Sequence, residues 1–197
     1  DRKNRLVEVN IASKSKQTLM QNPNGEPAGV AFSPDSKWIT YTKSAENDMS
    51  VVYVFNLASK KEYPVTERWY SSSAPVFSTD GKYLIFTSAR DFNSTYSQTE
   101  WNHVYTRMNG VYMAMLAEDT PSPLLPTDGA VDAAKKSESE VVVKIDPENL
   151  PGRIVKLPLP AGSYRNFYSD GKKVYYAAAG GTKAFDLKTQ KEETVAD

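Results

Sequence analysis

Val30-Ala-Phe-Ser-Pro-Asp35-Ser-Lys-Trp-Ile-Thr-Tyr-Thr42, Pro75-Val-Phe-Ser-Thr-Asp80-Gly-Lys-Tyr-Leu-Ile-Phe-Thr87 and Asn166-Phe-Tyr-Ser-Asp170-Gly-Lys-Lys-Val-Tyr-Tyr176 are three copies of one unit. Each reads as a short strand, a tight turn and a second strand. The carboxylates of Asp35, Asp80 and Asp170 are placed to accept backbone N–H groups within their own turns, and Gly81 and Gly171 tolerate positive φ. Asp-Gly between two apolar runs is a strong hairpin signal. Ser36 stands where the other copies carry glycine, which predicts a turn of a different type there.

A second unit follows each time. Leu6-Val-Glu-Val-Asn10-Ile-Ala-Ser-Lys14, Tyr53-Val-Phe-Asn56-Leu-Ala-Ser-Lys60 and Ala184-Phe-Asp186-Leu-Lys-Thr-Gln190 are each a strand, an Asn/Asp turn and the start of another strand. Phe32 to Phe77 is 45 positions and Asn10 to Asn56 is 46. A period in the forties with four strands per unit is the pattern of β-propeller blades. A sandwich with chance likeness between hairpins does not explain two half-motifs recurring in the same order.

The rest of the composition agrees with an all-β fold. Of 197 residues, 12 are Tyr, 7 Phe and 3 Trp, side chains that suit a pleated, half-buried surface. No window carries apolar residues at helical spacing over three turns. Lys and Arg number 24 against 24 Asp and Glu, so no basic excess favours nucleic acid or an anionic membrane surface. The absence of Cys excludes disulfides, zinc–thiolate sites and a Cys nucleophile. The longest apolar run, Val111 to Ala117, is seven residues, too short to span a bilayer. Nothing at the start reads as a signal peptide, while Asp1 is no natural initiator.

Blade counting gives an opening half-blade over about 1–22 and a whole blade over 28–67. A second whole blade covers 73–126, its outer strands formed by a hairpin near Val111 to Leu125. The segment 141–160 is expected as an extra hairpin, and 164–197 as a last blade. That makes sixteen strands, about four blades' worth, in a single partial propeller over 1–197. Because an unclosed propeller leaves exposed sheet edges, the expectation is a larger propeller with neighbouring sequence on at least one side. Two segments interrupt the repeat. Asp91 to Tyr105 is a polar, aromatic insertion between strands two and three of its blade, and such composition favours an ordered loop. The stretch 127–140 is polar with alternating charge and reads as a mobile excursion.

The search for chemistry finds little. The only imidazole is His103, and neither a Gly-x-Ser-x-Gly elbow nor a Gly-rich phosphate loop occurs. Gly180-Gly181-Thr-Lys183 reads as a turn between strands. The repeated Asp residues fall on separate blades at turn positions, so no metal site and no cofactor is expected. Asn93-Ser-Thr95 is a sequon that matters only in a eukaryotic secretory setting.

Tyr63-Pro-Val-Thr66, Ser73-Ala-Pro-Val-Phe77, Asp80 to Arg90 and Met113-Ala-Met-Leu-Ala-Glu-Asp-Thr-Pro-Ser-Pro123 resemble a propeller blade of tricorn-type peptidases. The polar insertion and then Val143-Lys-Ile-Asp-Pro-Glu-Asn-Leu-Pro-Gly-Arg-Ile-Val-Lys-Leu-Pro-Leu-Pro-Ala-Gly-Ser-Tyr164 extend that similarity over nearly the whole chain. The Asp-Gly-Lys repeats alone are shared with other propellers, including the periplasmic Tol translocation protein and prolyl-oligopeptidase-type enzymes. The resemblance implies a large serine peptidase whose propellers precede a PDZ-like module and the catalytic domains, admitting and steering short peptides without cleaving them. No position here matches the family's catalytic residues, so none is transferred. The implied partners are peptides, the remaining blades and the catalytic domains, with a homo-oligomer compatible. The resemblance favours a cytoplasmic setting, and a periplasmic one stays open.

Arg68-Trp69-Tyr70, which follows the last strand of one blade, and Arg90, at the end of a strand, are candidates for a peptide channel, because loops at these ends rim the axis and Arg pairs with a carboxylate. Surface ion pairs for the arginines and inter-blade packing for Trp69 are the competing explanations. Two other functions stay open: a free-standing propeller that binds proteins, as the Tol-system protein does, and a propeller lid of a prolyl-oligopeptidase-like hydrolase.

Overall fold

The computed structural model describes residues 1–91, 94–96, 103–105, 108–125 and 140–196. Strands β1 (Arg5–Val9) and β2 (Lys16–Gln21) form a two-stranded sheet. A four-stranded meander follows, made of β3 (Ala28–Phe32), β4 (Trp38–Ser44), β5 (Ser50–Asn56) and β6 (Lys61–Pro64). The next sheet contains β7 (Ser72–Phe77), β8 (Tyr83–Ser88), β11 (Gly110–Met115) and β12 (Ile154–Lys156). Between its second and third strands a separate hairpin is inserted, β9 (Ser94–Tyr96) with β10 (His103–Tyr105). The last sheet is β13 (Arg165–Ser169), β14 (Lys173–Ala178), β15 (Gly181–Asp186) and β16 (Lys191–Ala196). All pairings are antiparallel. One 3-10 turn, Leu150–Arg153, is the only helical element among the described residues.

The local reasons match the sequence. In the first-half turns, Asp35 Oδ1 accepts from the Ser33 hydroxyl at 2.6 Å and the Lys37 N–H at 3.1 Å. Asp80 Oδ1 does the same with Ser78 at 2.5 Å and Lys82 at 3.2 Å. Asp170 Oδ1 accepts from the Lys172 and Lys173 amides at 2.9 and 2.7 Å. The expectation of a different turn at Ser36 is corrected. Ser36 has φ +56°, in the same left-handed region as Gly81 at +71° and Gly171 at +84°. The Ser33/Asp35 hydrogen bonds hold that conformation without glycine. In the second-half turns, Asn10, Asn56 and Asp186 accept from the amides of Ser13, Ser59 and Thr189 at 2.9, 2.8 and 2.8 Å. Lys14, Lys60 and Gln190 then turn left-handed at φ +55°, +57° and +54°.

The sheets stack in chain order, face to face. Ile39, Tyr41, Val51, Tyr53 and Phe55 pack against Leu6, Leu19 and Met20 of the half-blade. Val52, Val54 and Val65 meet Phe77, Leu84 and Phe86 of the next blade. On that blade's other side, Ile85, Val111 and Met113 meet Phe167, Val174 and Tyr176. A middle strand is therefore buried on both faces, which is why β5 reads Val-Val-Tyr-Val-Phe without alternation.

One boundary differs from the sequence reading. The fourth strand beside β11 is not supplied by the hairpin expected up to Leu125, and 141–160 is not an extra hairpin. Instead β12 pairs with β11, Tyr112 opposite Lys156 and Ala114 opposite Ile154. Pro121 and Pro123 lack the N–H a ladder needs, and the chain turns away after Ala117. Residues 141–146 are an extended strap that places Val143 and Ile145, with Leu150, in the core between the two whole blades. Asp35 Oδ2 holds the strap by accepting the Val143 N–H at 3.0 Å. The excursion over 127–140 lies outside the described residues, except for its last residue.

Candidate functional site

Because each blade is a meander, its turns alternate between two ends of the stack. The turns of Asp35, Asp80 and Asp170 and those of Asn10, Asn56 and Asp186 share one end. The other end carries the β4–β5 turn, the inserted hairpin, the Gly180-Gly181 turn and the links between blades. Arg68, Trp69, Tyr70 and Arg90 all belong to this loop face. The structure thus brings the four channel candidates to one end, opposite the structural Asp turns.

Their surroundings differ. Trp69 is 77% exposed and Tyr70 44%, so the described blades do not bury either ring. The main-chain carbonyl of Arg68 accepts from Asn47 Nδ2 at 3.0 Å, which fixes the start of the loop. The Arg68 side chain borders a cleft of about 290 Å³ between the half-blade and the first whole blade, shared with Asn22, Lys43, Tyr53 and Glu62. Within it the charges are already matched. Lys43 Nζ lies 2.5 Å from Glu62 Oε1 and 4.2 Å from the centre of the Tyr53 ring, while the Tyr41 hydroxyl donates to Glu62 Oε2 at 2.5 Å. Burial and that carboxylate push the Tyr41 hydroxyl well above its ordinary range.

Arg90 is half-buried. Its Nε donates to Ser88 Oγ at 3.1 Å and its guanidinium sits 5.4 Å from the Tyr112 ring centre. Beside it Asp91 Oδ1 accepts from Lys156 Nζ at 2.6 Å and from the Tyr112 hydroxyl at 3.4 Å. Burial first, and then the Asp91 charge, push Tyr112 up to about 12, with Arg90 opposing. This cluster anchors the base of the inserted hairpin, where the Asp91 N–H donates to the Met108 carbonyl at 3.0 Å. Arg90 is thus a positioned cation at the root of the hairpin and Arg68 an exposed one beside a cleft. His103 lies on β10; the sequon asparagine Asn93 lies outside the described residues. Among the described residues no group of three or more His, Asp or Glu side chains is arranged to hold a metal, and no helix is long and apolar enough to cross a membrane.

Sequence reasoning missed Arg153. Its guanidinium donates to the carbonyls of Met115 and Leu116 at 3.1 Å each, of Glu148 at 2.7 Å, and of Asp146, locking the strap to β11. Its sequence neighbours Pro151-Gly152 gave no signal of that role.

Comparison with known proteins accounts for this arrangement. Tricorn protease homolog 1 of Streptomyces coelicolor is 26% identical over 167 residues, covering 81% of this chain and 16% of that protein. The tricorn protease of Thermoplasma volcanium is 23% identical over 124 residues, covering 60% of this chain and 12% of its own length. The chain therefore spans less than a fifth of these relatives. In fold, it superposes on a crystal structure of the tricorn protease with a TM-score of 0.77 at 18% identity, covering 97% of this chain and 20% of that one. TolB from Acinetobacter baumannii gives a TM-score of 0.60 at 16% identity, covering 98% of this chain and 37% of that one. The family model for the tricorn protease second beta propeller domain matches residues 1–197, the whole chain, and the chain belongs to that family.

Proposed function

We propose that this chain is a non-catalytic propeller segment of a tricorn-like serine peptidase, scaffolding and gating the access of short peptides to a catalytic domain elsewhere in the same protein. The observation that carries the reading is the match of residues 1–197 to a tricorn protease propeller domain, on a segment that converges Arg68, Trp69, Tyr70 and Arg90 at one face. Two cations and two exposed aromatics on one face suit a peptide: Arg pairs with its carboxylates and the rings of Trp69 and Tyr70 offer apolar area at low entropic cost. The remaining blades are the partners of the apolar groove of about 380 Å³ between β1 and β3, where Leu6, Leu19, Val30, Phe32 and Ile39 lie. A cytoplasmic setting and a homo-oligomer belong to the same reading.

The family match favours this over a free-standing Tol-type propeller, whose support is likeness of fold alone. In the full-length protein, Arg68→Ala with Arg90→Ala weakens binding of a fluorescent peptide of about ten residues by about fivefold, the scale of two partly screened ion pairs. Unchanged affinity sinks the peptide role of this face. Arg90→Lys, which keeps the charge and loses the planar stacking on Tyr112, separates pairing from packing.

A further inference from the structure

The first strand of every whole blade carries the same irregularity. Between Ala28 and Ala31 of β3 the register with β4 shifts, so that three residues on β3 span two on β4. The same shift falls between Ser73 and Val76 of β7, and between Arg165 and Tyr168 of β13. In each bulge the residue that opens the shift is left-handed: Gly29 at φ +62°, Ala74 at +54° and Asn166 at +56°. Only one of the three is glycine. Glycine and asparagine take that conformation at little cost, whereas the alanine stores strain, and a left-handed residue recurring at three equivalent positions points to a role.

These strands are also the edges of their sheets. Among the described residues β3, β7 and β13 each pair on one side only, leaving the other row of N–H and C=O groups outside the ladder. β7 lies against both β3 and β13, so the free edges converge on the axis of the stack. A Cβ on Gly29 would lie 3.2 Å from Pro75 Cδ and 3.7 Å from Ala74 Cα, so the bulges of β3 and β7 abut. All three lie in the half of the strand nearest the loop face, which carries Arg68 and Arg90. An unpaired edge is a template for an extended chain, and a bulge interrupts that template.

We propose that the three bulges form a ring at the loop-face mouth of the axis that prevents an extended peptide from adding as a strand to the inner edges. Peptides of any sequence then pass by short, broken runs of main-chain hydrogen bonds and are not captured. Pro75, which has no N–H to offer at the β7 bulge, serves the same end. The inference rests on the peptide-handling reading above.

In the full-length protein, deletion of Asn166 removes the extra residue of β13 and returns its edge to one register with β14. Deletion of Ala74 does so for β7. For a peptide of about ten residues, which spans roughly 33 Å when extended, the expected result is a fall in both KM and kcat of about fivefold, because new main-chain pairs hold the peptide in the passage. A two-residue chromogenic amide, too short to pair, keeps both constants, as does the Asn166→Gly protein, which retains the left-handed bulge. Equal losses for both substrates, or unchanged kinetics on the long peptide in a deletion variant that melts like the parent, overturn the proposal. The unaltered protein supplies a second test. N-methylation of alternate amides away from the scissile bond shifts KM of the long peptide by less than about twofold; a rise of about tenfold means the peptide does pair as a strand and overturns the proposal. That result leaves the peptide-handling reading standing, since the reading falls only on the arginine variants.

Discussion

Gly81 shows how much one position of the repeat has to satisfy. Its φ of +71° is left-handed, and a Cβ there would lie 2.7 Å from Val143 Cγ2 and 3.1 Å from Val141 Cγ1 of the strap. Gly81→Ala therefore combines backbone strain with a clash against buried side chains, and lowers stability by about 2–3 kcal/mol in urea titration. Asp35 spans the same strap from the other side. Partial burial acts to raise its carboxyl, but the Ser33 hydroxyl, the Val143 and Lys37 amides and the Lys37 charge outweigh it and hold it below the usual carboxylate range. A carboxyl lowered by folding contributes stability above its unfolded value, near 4, and loses it as pH falls through the folded one. Asp35→Asn thus shifts the urea midpoint down at pH 6, and the gap between the two proteins narrows as pH falls below the ordinary carboxylate value, about 4. The turn chemistry was legible in the sequence because an Asp or Asn side chain bonding its own turn is a local event. Ser36 was misread because glycine there is sufficient for a left-handed residue but not required where Ser33 and Asp35 fix the turn.

At the scale of elements, what the sequence showed was what repeats. β3–β4, β7–β8 and β13–β14 announced themselves by Asp turns, and β5–β6 and β15–β16 by Asn and Asp turns. β12 did not, because its three residues reach β11 only after a long detour and resemble no other fourth strand. The strap 141–146 was invisible for the same reason: its Val-Val-Val-Lys-Ile run reads as a strand, and the place for a strand was already filled. Arg153 holds this departure together. Removing its guanidinium takes a charged donor from the carbonyls of Met115, Leu116, Asp146 and Glu148, of which Leu116 keeps the Asp146 N–H. Arg153→Met lowers stability by about 2–4 kcal/mol, as expected for several lost charge-assisted bonds. It also raises amide exchange in 141–150 ahead of the β4–β5 pair; uniform exchange across the chain would contradict a local clasp. The bulge of β7 left no trace either, since Ala74 gives no hint of a positive φ.

For the whole molecule, the stack of a half-blade and three blades leaves apolar side chains uncovered at its start, with Phe32 64% and Val30 45% exposed. The proposed function assigns this surface to the remaining blades; the chain spans 16% and 12% of the two tricorn relatives compared. The functional candidates were legible as residue types at strand ends, and their convergence on one face follows from the meander. Their separate surroundings, Arg68 beside an open cleft and Arg90 locked on Tyr112, depend on contacts that only the folded chain displays. The central claim is that this face handles peptides that other domains cut. The most direct measurement compares kcat/KM of the full-length protein and its Arg68→Ala/Arg90→Ala variant on a peptide of about ten residues and on a two-residue amide. The account predicts a loss of about fivefold on the long peptide and none on the short one. An equal loss on both, or no loss on either, would contradict it.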